Sequence, residues 1–192
     1  MDTSRQWPRN VAEVTAHHLR RYEFAGFNSF GRVLDASCGC GYGSWWLRLL
    51  RREVVGVDVS QDAIGWANKF FKGPQFICGR IEDSPWEGKF ETVVSLETIE
   101  HVEDPMSLLK PLREACVGRF LVSVPNEEVY KFKPENFIND ESPHFRHYTP
   151  KEFDELLSAA GFSVTERLCQ KSKNDPEVKR GTDGMFLIYG CE

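Results

Sequence analysis

RVLDASCGCGYGSWWLRLL, residues 32–50, is the stretch on which the fold turns. Arg32 to Ala36 is a short apolar run carrying Asp35 near its end, glycine then recurs at alternate positions (Gly39, Gly41, Gly43), and Ser44 to Leu50 has helical character. The order dictated is strand, glycine turn, helix. Glycine lets the backbone come close to another group, and a helix opening on such a turn presents amide N–H groups and a positive dipole end to an anion. Just downstream, Val54 to Asp58 repeats the apolar strand with a terminal acid, and Ser60 is placed to cap a helix running through Ile64, Trp66 and Ala67 to Phe70. Two successive β-α units predict a parallel sheet covered on both faces.

Working outward, Gln75 to Cys78, Thr92 to Leu96 and Phe120 to Val124 read as further strands, and Pro105 after Asp104 opens a helix carrying Leu108, Leu109 and Leu112. The polar stretch 125–148 exceeds a simple connection and is expected to act as a lid or substrate-binding insertion. Thr149-Pro-Lys-Glu152 has the form of a capping box with proline at the first helical position, for a helix ending near Gly161. Ser163 to Leu168 and Met185 to Tyr189 complete the strands, joined by the polar loop Gln170 to Gly184. With no helix between them, this last pair implies an antiparallel edge. Helical spacing over 11–24, before a turn at Gly26, predicts an N-terminal helix over the cleft. The expectation is an α/β, doubly wound, seven-stranded, mostly parallel sheet with an antiparallel edge strand, formed by one domain over residues 1–192.

Composition is that of an ordinary globular chain: 41% hydrophobic and 28% charged over 192 residues. The net charge of −5 gives no general attraction to nucleic acid. Basic groups at Arg9, Arg20 and Arg21, and at Lys171, Lys173, Lys179 and Arg180, read as solvated faces. Six cysteines without a C-x-x-C pair read as reduced and mostly buried. Nothing approaches the roughly 18 apolar residues of a membrane span, and no secretory signal is visible, so a cytoplasmic protein without a membrane partner is expected.

In an open α/β sheet the ligand sits beyond the carboxyl ends of the strands where strand order reverses, which points to the residues after Val33-Leu34. There Asp35 is placed to fix the turn or to receive a ligand ammonium, and Asp58 to accept two vicinal hydroxyls. A glycine pattern alone is equally consistent with a tight structural turn. The string VLDASCGCGYGSWWL, however, resembles the first motif of class I S-adenosylmethionine-dependent methyltransferases, of the type 11/23 kind, whose usual form is D-x-G-x-G-x-G; here Ser37 stands where glycine is usual. The resemblance continues in matching order through VVGVDVS, FETVVSLETIEHVEDP, FLVSVPN and HFRHYTPKEFDELLSAAGF.

The resemblance implies S-adenosylmethionine as cofactor, its methionine end at the glycine turn and its ribose on Asp58, with Asp35, Ser37, Gly39, Gly41 and Leu96 in the site. Arg80 occupies a place where the family often has an acid for adenine, which leaves adenine to Ile81, Glu82 or Asp83. An NAD(P)-binding oxidoreductase shares the glycine turn and the acid, but its G-x-G-x-x-G spacing is not the alternation seen here. A catalytically inert scaffold is disfavoured by the intact Asp35, Gly39, Gly41 and Asp58.

Glu97, Glu100 and His101 fall at i, i+3 and i+4, so one helical turn would bring two carboxylates and an imidazole to one face, with His144 folding back to join them. Such ligands suit Mg²⁺ or Mn²⁺. The arrangement resembles two groups of metal-dependent O-methyltransferases, one acting on catechol-like ubiquinone intermediates and the other on the terminal ribose of small RNAs. In both, the resemblance implies a metal that binds vicinal hydroxyls and activates one of them. Metal-free relatives also carry E-x-x-E-H-V, and in that case His144 or His101 is the natural general base, with Glu97 beside it. His147 and His17 read as lid or surface residues. Trp45, Trp46, Trp86, Phe145 and Tyr148 read as core or interface filling, and Tyr22, Tyr130 and Phe132 as substrate contacts. Base methylation is disfavoured, since neither an Asn-Pro-Pro-aromatic motif nor a Pro-Cys nucleophile is present. The expected acceptor is a hydroxyl on a small molecule or saccharide, with an RNA 2′-hydroxyl as the alternative.

Overall fold

The computed structural model describes residues 6–50, 53–83, 86, 89–137 and 143–192. Eight strands form one sheet in the order β3-β2-β1-β4-β5-β8-β6-β7. β1 (Arg32–Ala36), β2 (Glu53–Asp58), β3 (Gln75–Cys78), β4 (Phe90–Leu96) and β5 (Cys116–Pro125) pair in parallel. β8 (Phe186–Cys191) runs antiparallel between β5 and β6 (Val164–Gln170), and β7 (Val178–Arg180) closes the edge. β1 lies between β2 and β4, and this is where strand order reverses.

Neighbouring apolar residues on one strand serve opposite layers. Val33, Val54, Val94 and Leu121 pack with Tyr22, Ala25 and Leu47 of α1 (Ala16–Phe27) and α2 (Tyr42–Leu49). Leu34, Val55, Val93 and Phe120 pack with Leu109 and Leu112 of α4 (Pro105–Ala115) and with Phe153 and Leu157 of α5 (Pro150–Ala159). Continuous apolar runs are what a sheet covered on both faces requires. The caps form where the sequence places them. The Ser60 hydroxyl accepts the Ala63 N–H at the start of α3 (Gln61–Phe70), Asp104 accepts that of Met106, and Thr149 and Glu152 form a complete capping box.

Two expectations need correction. The sheet has eight strands, not seven, because Val178–Arg180 pairs with Leu168–Gln170 inside the stretch expected to be a loop. A lysine- and arginine-bearing strand is tolerated there because it lies on an edge. The helix expected over 11–24 is a 3-10 turn, Val11–Glu13, followed by α1, and Gly26 lies inside α1 rather than in a turn after it. A Cβ at Gly26 would stand 2.6 Å from the Leu50 Cδ1, so glycine there permits close approach of α1 to the end of α2. The insertion 125–148 holds a 3-10 turn, Pro134–Phe137, and a bridge from Asn126 to Tyr148; its residues 138–142 lie outside the described residues.

Candidate active site

The carboxyl ends of β1, β2 and β4 open into a cavity of about 710 Å³. On one side it is lined by Ser37, Gly39, Asp58, Ile81, Glu82 and Leu96. The turn after β1 is left-handed at three alternate positions, with φ of 64° at Ser37, 56° at Gly39 and 85° at Gly41. Ser37 therefore adopts the backbone conformation that glycine takes most easily, at the position where glycine is usual. The turn is knitted from within. The Gly39 N–H donates to Asp58 Oδ2 (2.8 Å), the Ser60 N–H to Asp58 Oδ1 (2.9 Å), and the Gly41 N–H to the Cys38 carbonyl (3.1 Å). Asp58 thus faces the cavity and also locks the loop that forms its floor.

Asp35 and Gly41 stand behind the lining. The Asp35 carboxylate is fully buried and accepts the hydroxyls of Ser44 (2.6 Å) and Tyr22 (3.1 Å). Burial pushes it up to about 7, against the opposing effect of those two hydrogen bonds and with a small further push from the Asp58 charge. Through these two bonds Asp35 ties α1 and α2 to the end of β1. A Cβ on Gly41 would lie 2.5 Å from the Ala67 Cβ, and one on Gly43 only 2.0 Å from the Tyr22 ring, so both glycines serve helix packing as well as the turn. Arg80 pairs with Glu82 at the mouth, and both line the cavity with Ile81.

The opposite side begins after β4. Glu97 has φ 52°, and only Ile99–His101 form a turn, of the 3-10 kind. The premise of one regular helical turn carrying Glu97, Glu100 and His101 on a single face therefore fails for Glu97. Its carboxylate instead accepts the Ser123 hydroxyl (2.7 Å) and lies 3.9 Å from Arg21 Nη2. Glu100, His101 and His144 do come together, each offering one ligand atom, all within 4.8 Å of one another. Glu100 is fully buried, both carboxylate oxygens lack a hydrogen-bond partner, and burial followed by the Glu97 charge pushes its pKa well up. The turn bearing it is tied to the returning insertion by the Phe145 N–H, which donates to the Glu100 carbonyl (2.7 Å).

Several lining residues carried no sequence signal for the site. Arg21, read as part of a solvated basic face, is 1% exposed; it donates to Gln170 Oε1 (2.7 Å) and stacks over Phe186 at 4.6 Å. His17, read as a surface residue, is buried, and burial aided by Arg21 and Lys173 lowers its pKa to about 4. Its neighbour His18 meets the Tyr42 hydroxyl at 2.9 Å and is held neutral chiefly by burial. Of the aromatic residues expected at the substrate, Tyr22 and Tyr130 line the cavity, while Phe132 packs on the His147 ring. Phe145, expected as filling, is exposed.

A methyltransferase-domain family model matches residues 7–167. A probable S-adenosylmethionine-dependent methyltransferase of Mycolicibacterium smegmatis is 29% identical over 141 residues, covering 71% of this chain and 53% of the relative. A ubiquinone biosynthesis O-methyltransferase of Xanthomonas euvesicatoria is 27% identical and covers 90% of this chain and 79% of its own. The chain spans about half the length of the mycobacterial relatives it matches. Among solved structures, a methyltransferase from Thermotoga maritima, described as a possible histamine N-methyltransferase, superposes with TM-score 0.72 at 21% identity, over 92% of this chain and 90% of that one. The Burkholderia thailandensis 1,6-didemethyltoxoflavin-N1-methyltransferase, solved with S-adenosylhomocysteine, gives 0.70 at 18%, over 95% and 80%. With the switch-point cavity, the left-handed turn and the acid ending β2 all in place, the chain belongs to the class I S-adenosylmethionine-dependent methyltransferases.

Proposed function

We propose that this chain methylates a hydroxyl oxygen of a small molecule or saccharide, as a cytoplasmic enzyme using S-adenosylmethionine, with Mg²⁺ or Mn²⁺ held by Glu100, His101 and His144. The observation that carries the reading is the Glu100 carboxylate, buried with neither oxygen partnered beside two imidazoles. A buried carboxylate in that state is costly unless it is protonated, paired or coordinating, and one oxygen with two nitrogen donors suits these cations. The name of the Xanthomonas relative supports oxygen as the methylated atom. Glu97 belongs to the wall of the site rather than to the ligand set.

When bound, the cofactor supplies an electrophilic methyl group and the cation supplies Lewis acidity toward the acceptor hydroxyl. The chain's own residues do the rest. Ser37 and Gly39 form the floor, Ile81 and Glu82 the adenine end, and each Asp58 oxygen has two lone pairs, so ribose hydroxyls can be accepted while the turn stays tied. Leu96 lines the cavity where the cofactor and acceptor sides meet. Arg21 and Glu97 form the polar back wall, and His144 would serve as general base only where no cation occupies its ring nitrogen.

Methyl transfer from labelled S-adenosylmethionine to a catechol, a saccharide with vicinal hydroxyls and a short RNA, with and without chelator, tests this reading. An O-methyl product on the catechol or saccharide, lost by orders of magnitude on chelation and restored by Mn²⁺, is the expected result, with S-adenosylhomocysteine affinity nearly unchanged. Full turnover after chelation removes the cation, and a His144→Ala defect that persists there makes His144 the general base. Product on RNA alone, or on nitrogen alone, overturns the acceptor class.

A further inference from the structure

The insertion returns to the cavity through two histidines three residues apart, and their hydrogen bonds run in one direction. His147 Nδ1 lies 2.7 Å from the Tyr130 carbonyl, and His147 Nε2 lies 2.8 Å from His144 Nδ1. A carbonyl oxygen only accepts, so the proton of His147 sits on Nδ1. In a neutral ring Nε2 is then the acceptor, and His144 Nδ1 must donate to it. This leaves the lone pair of His144 on Nε2. His101 reaches the same state independently, its Nδ1 facing the Pro143 carbonyl at 3.2 Å.

We propose that His147 is a positioning residue: it fixes the tautomer and ring plane of His144, and thereby transmits the order of the turn 126–132 to the cluster of Glu100, His101 and His144. The proposal rests on the reading of that cluster as a cation and acceptor site. Its other end is tied by several hydrogen bonds. Asn126 is fully buried, donates to the carbonyls of Thr182 (2.9 Å) and Gly184 (2.7 Å), and accepts the Glu128 N–H (3.0 Å). The Tyr130 N–H donates to the Asn126 carbonyl (2.7 Å), and that of Phe132 to Glu127 Oε2 (2.7 Å). The rings of Tyr130 and Phe132 clasp His147 with centroids 4.8 and 5.4 Å away. His147 is 6% exposed, so water competes poorly for either nitrogen. Metal-ligating histidines gain affinity and a defined tautomer from an outer acceptor on the opposite ring nitrogen. His147 supplies that acceptor, although the position carries no carboxylate to announce it.

The test uses ¹⁵N-histidine-labelled protein, with long-range ¹H–¹⁵N correlation reading the tautomer and calorimetry with Mn²⁺ reading affinity. Wild type should show His144 protonated on Nδ1. His147→Leu should lose that signature and weaken Mn²⁺ by about 10- to 100-fold. His147→Gln, whose amide oxygen still accepts from His144, should restore the tautomer and most of the affinity. Binding of S-adenosylhomocysteine should be the same in all three. A wild-type His144 protonated on Nε2 overturns the proposal without recourse to any variant, as does a His147→Leu protein with unchanged tautomer and affinity. If the tautomer shifts as described but wild type takes up no Mn²⁺, His147 keeps its role and the cation reading is the one that fails.

Discussion

The two sides of the cavity handle buried charge in opposite ways. On the cofactor side every acid is met by the chain's own donors: Asp35 by Ser44 and Tyr22, Asp58 by the amides of Gly39 and Ser60. On the acceptor side Glu100 is sealed from water with both oxygens unpartnered, and Arg21 Nη2 also lacks a hydrogen bond. The first side is folded into its working shape by local bonds. The second holds a buried carboxyl without a donor of its own, which burial and the Glu97 charge push toward the protonated form.

If the glycine turn is part of the fold and not merely a ligand loop, Gly41→Val should be the most damaging change. A branched side chain meets Ala67 and Phe76 and must hold φ 85°. Overpacking and left-handed strain together amount to about 5 kcal/mol, which a thermal melt reads as loss of most of the stability. A variant that melts normally would return Gly41 to a purely ligand-binding role.

The next test concerns Asp35. Its folded pKa of about 7 exceeds the ordinary 3.8, so the folded state holds a proton that the unfolded state releases. The stability so contributed is complete below the ordinary value and is lost as pH rises toward 7, by about 4 kcal/mol at most. Asp35→Asn keeps an acceptor for Ser44 or Tyr22 and should flatten that slope in urea titrations run from acid to neutral pH. An unchanged slope would show that the buried acid is already charged.

The smallest effects sharpen the contrast most, because their signs differ. Asp58→Ala removes the acceptor of two backbone amides and should cost about 2 kcal/mol both in stability and in S-adenosylhomocysteine binding. Glu100→Gln replaces a buried carboxyl whose ionisation burial opposes, and should raise the melting temperature of the metal-free protein increasingly as pH rises, by about 1 kcal/mol in stability. Two losses of similar size would dissolve the distinction between the sides.

Local signals carried the cofactor half. Apolar pairs such as Val33-Leu34 and Val93-Val94 announce strands buried on both faces, Ser60, Asp104 and Thr149 announce helix starts, and alternate glycines with a terminal acid announce the turn. Each depends on neighbours within a few residues, so the sequence by itself determined the parallel core, its switch point and the glycine turn beside it. What only the tertiary structure decided depends on distant partners. Arg21 looks like any surface cation until Gln170, 149 residues away, meets it. Glu97 fits an i, i+3, i+4 triad until a left-handed backbone turns it to Ser123, and the basic Val178–Arg180 becomes a strand only because β6 offers an open edge. His147 acquires its task from the Tyr130 carbonyl, a group common to every residue and therefore invisible in the sequence. Burial and hydrogen-bond direction are properties of the assembled molecule, and spacing along the chain cannot encode them.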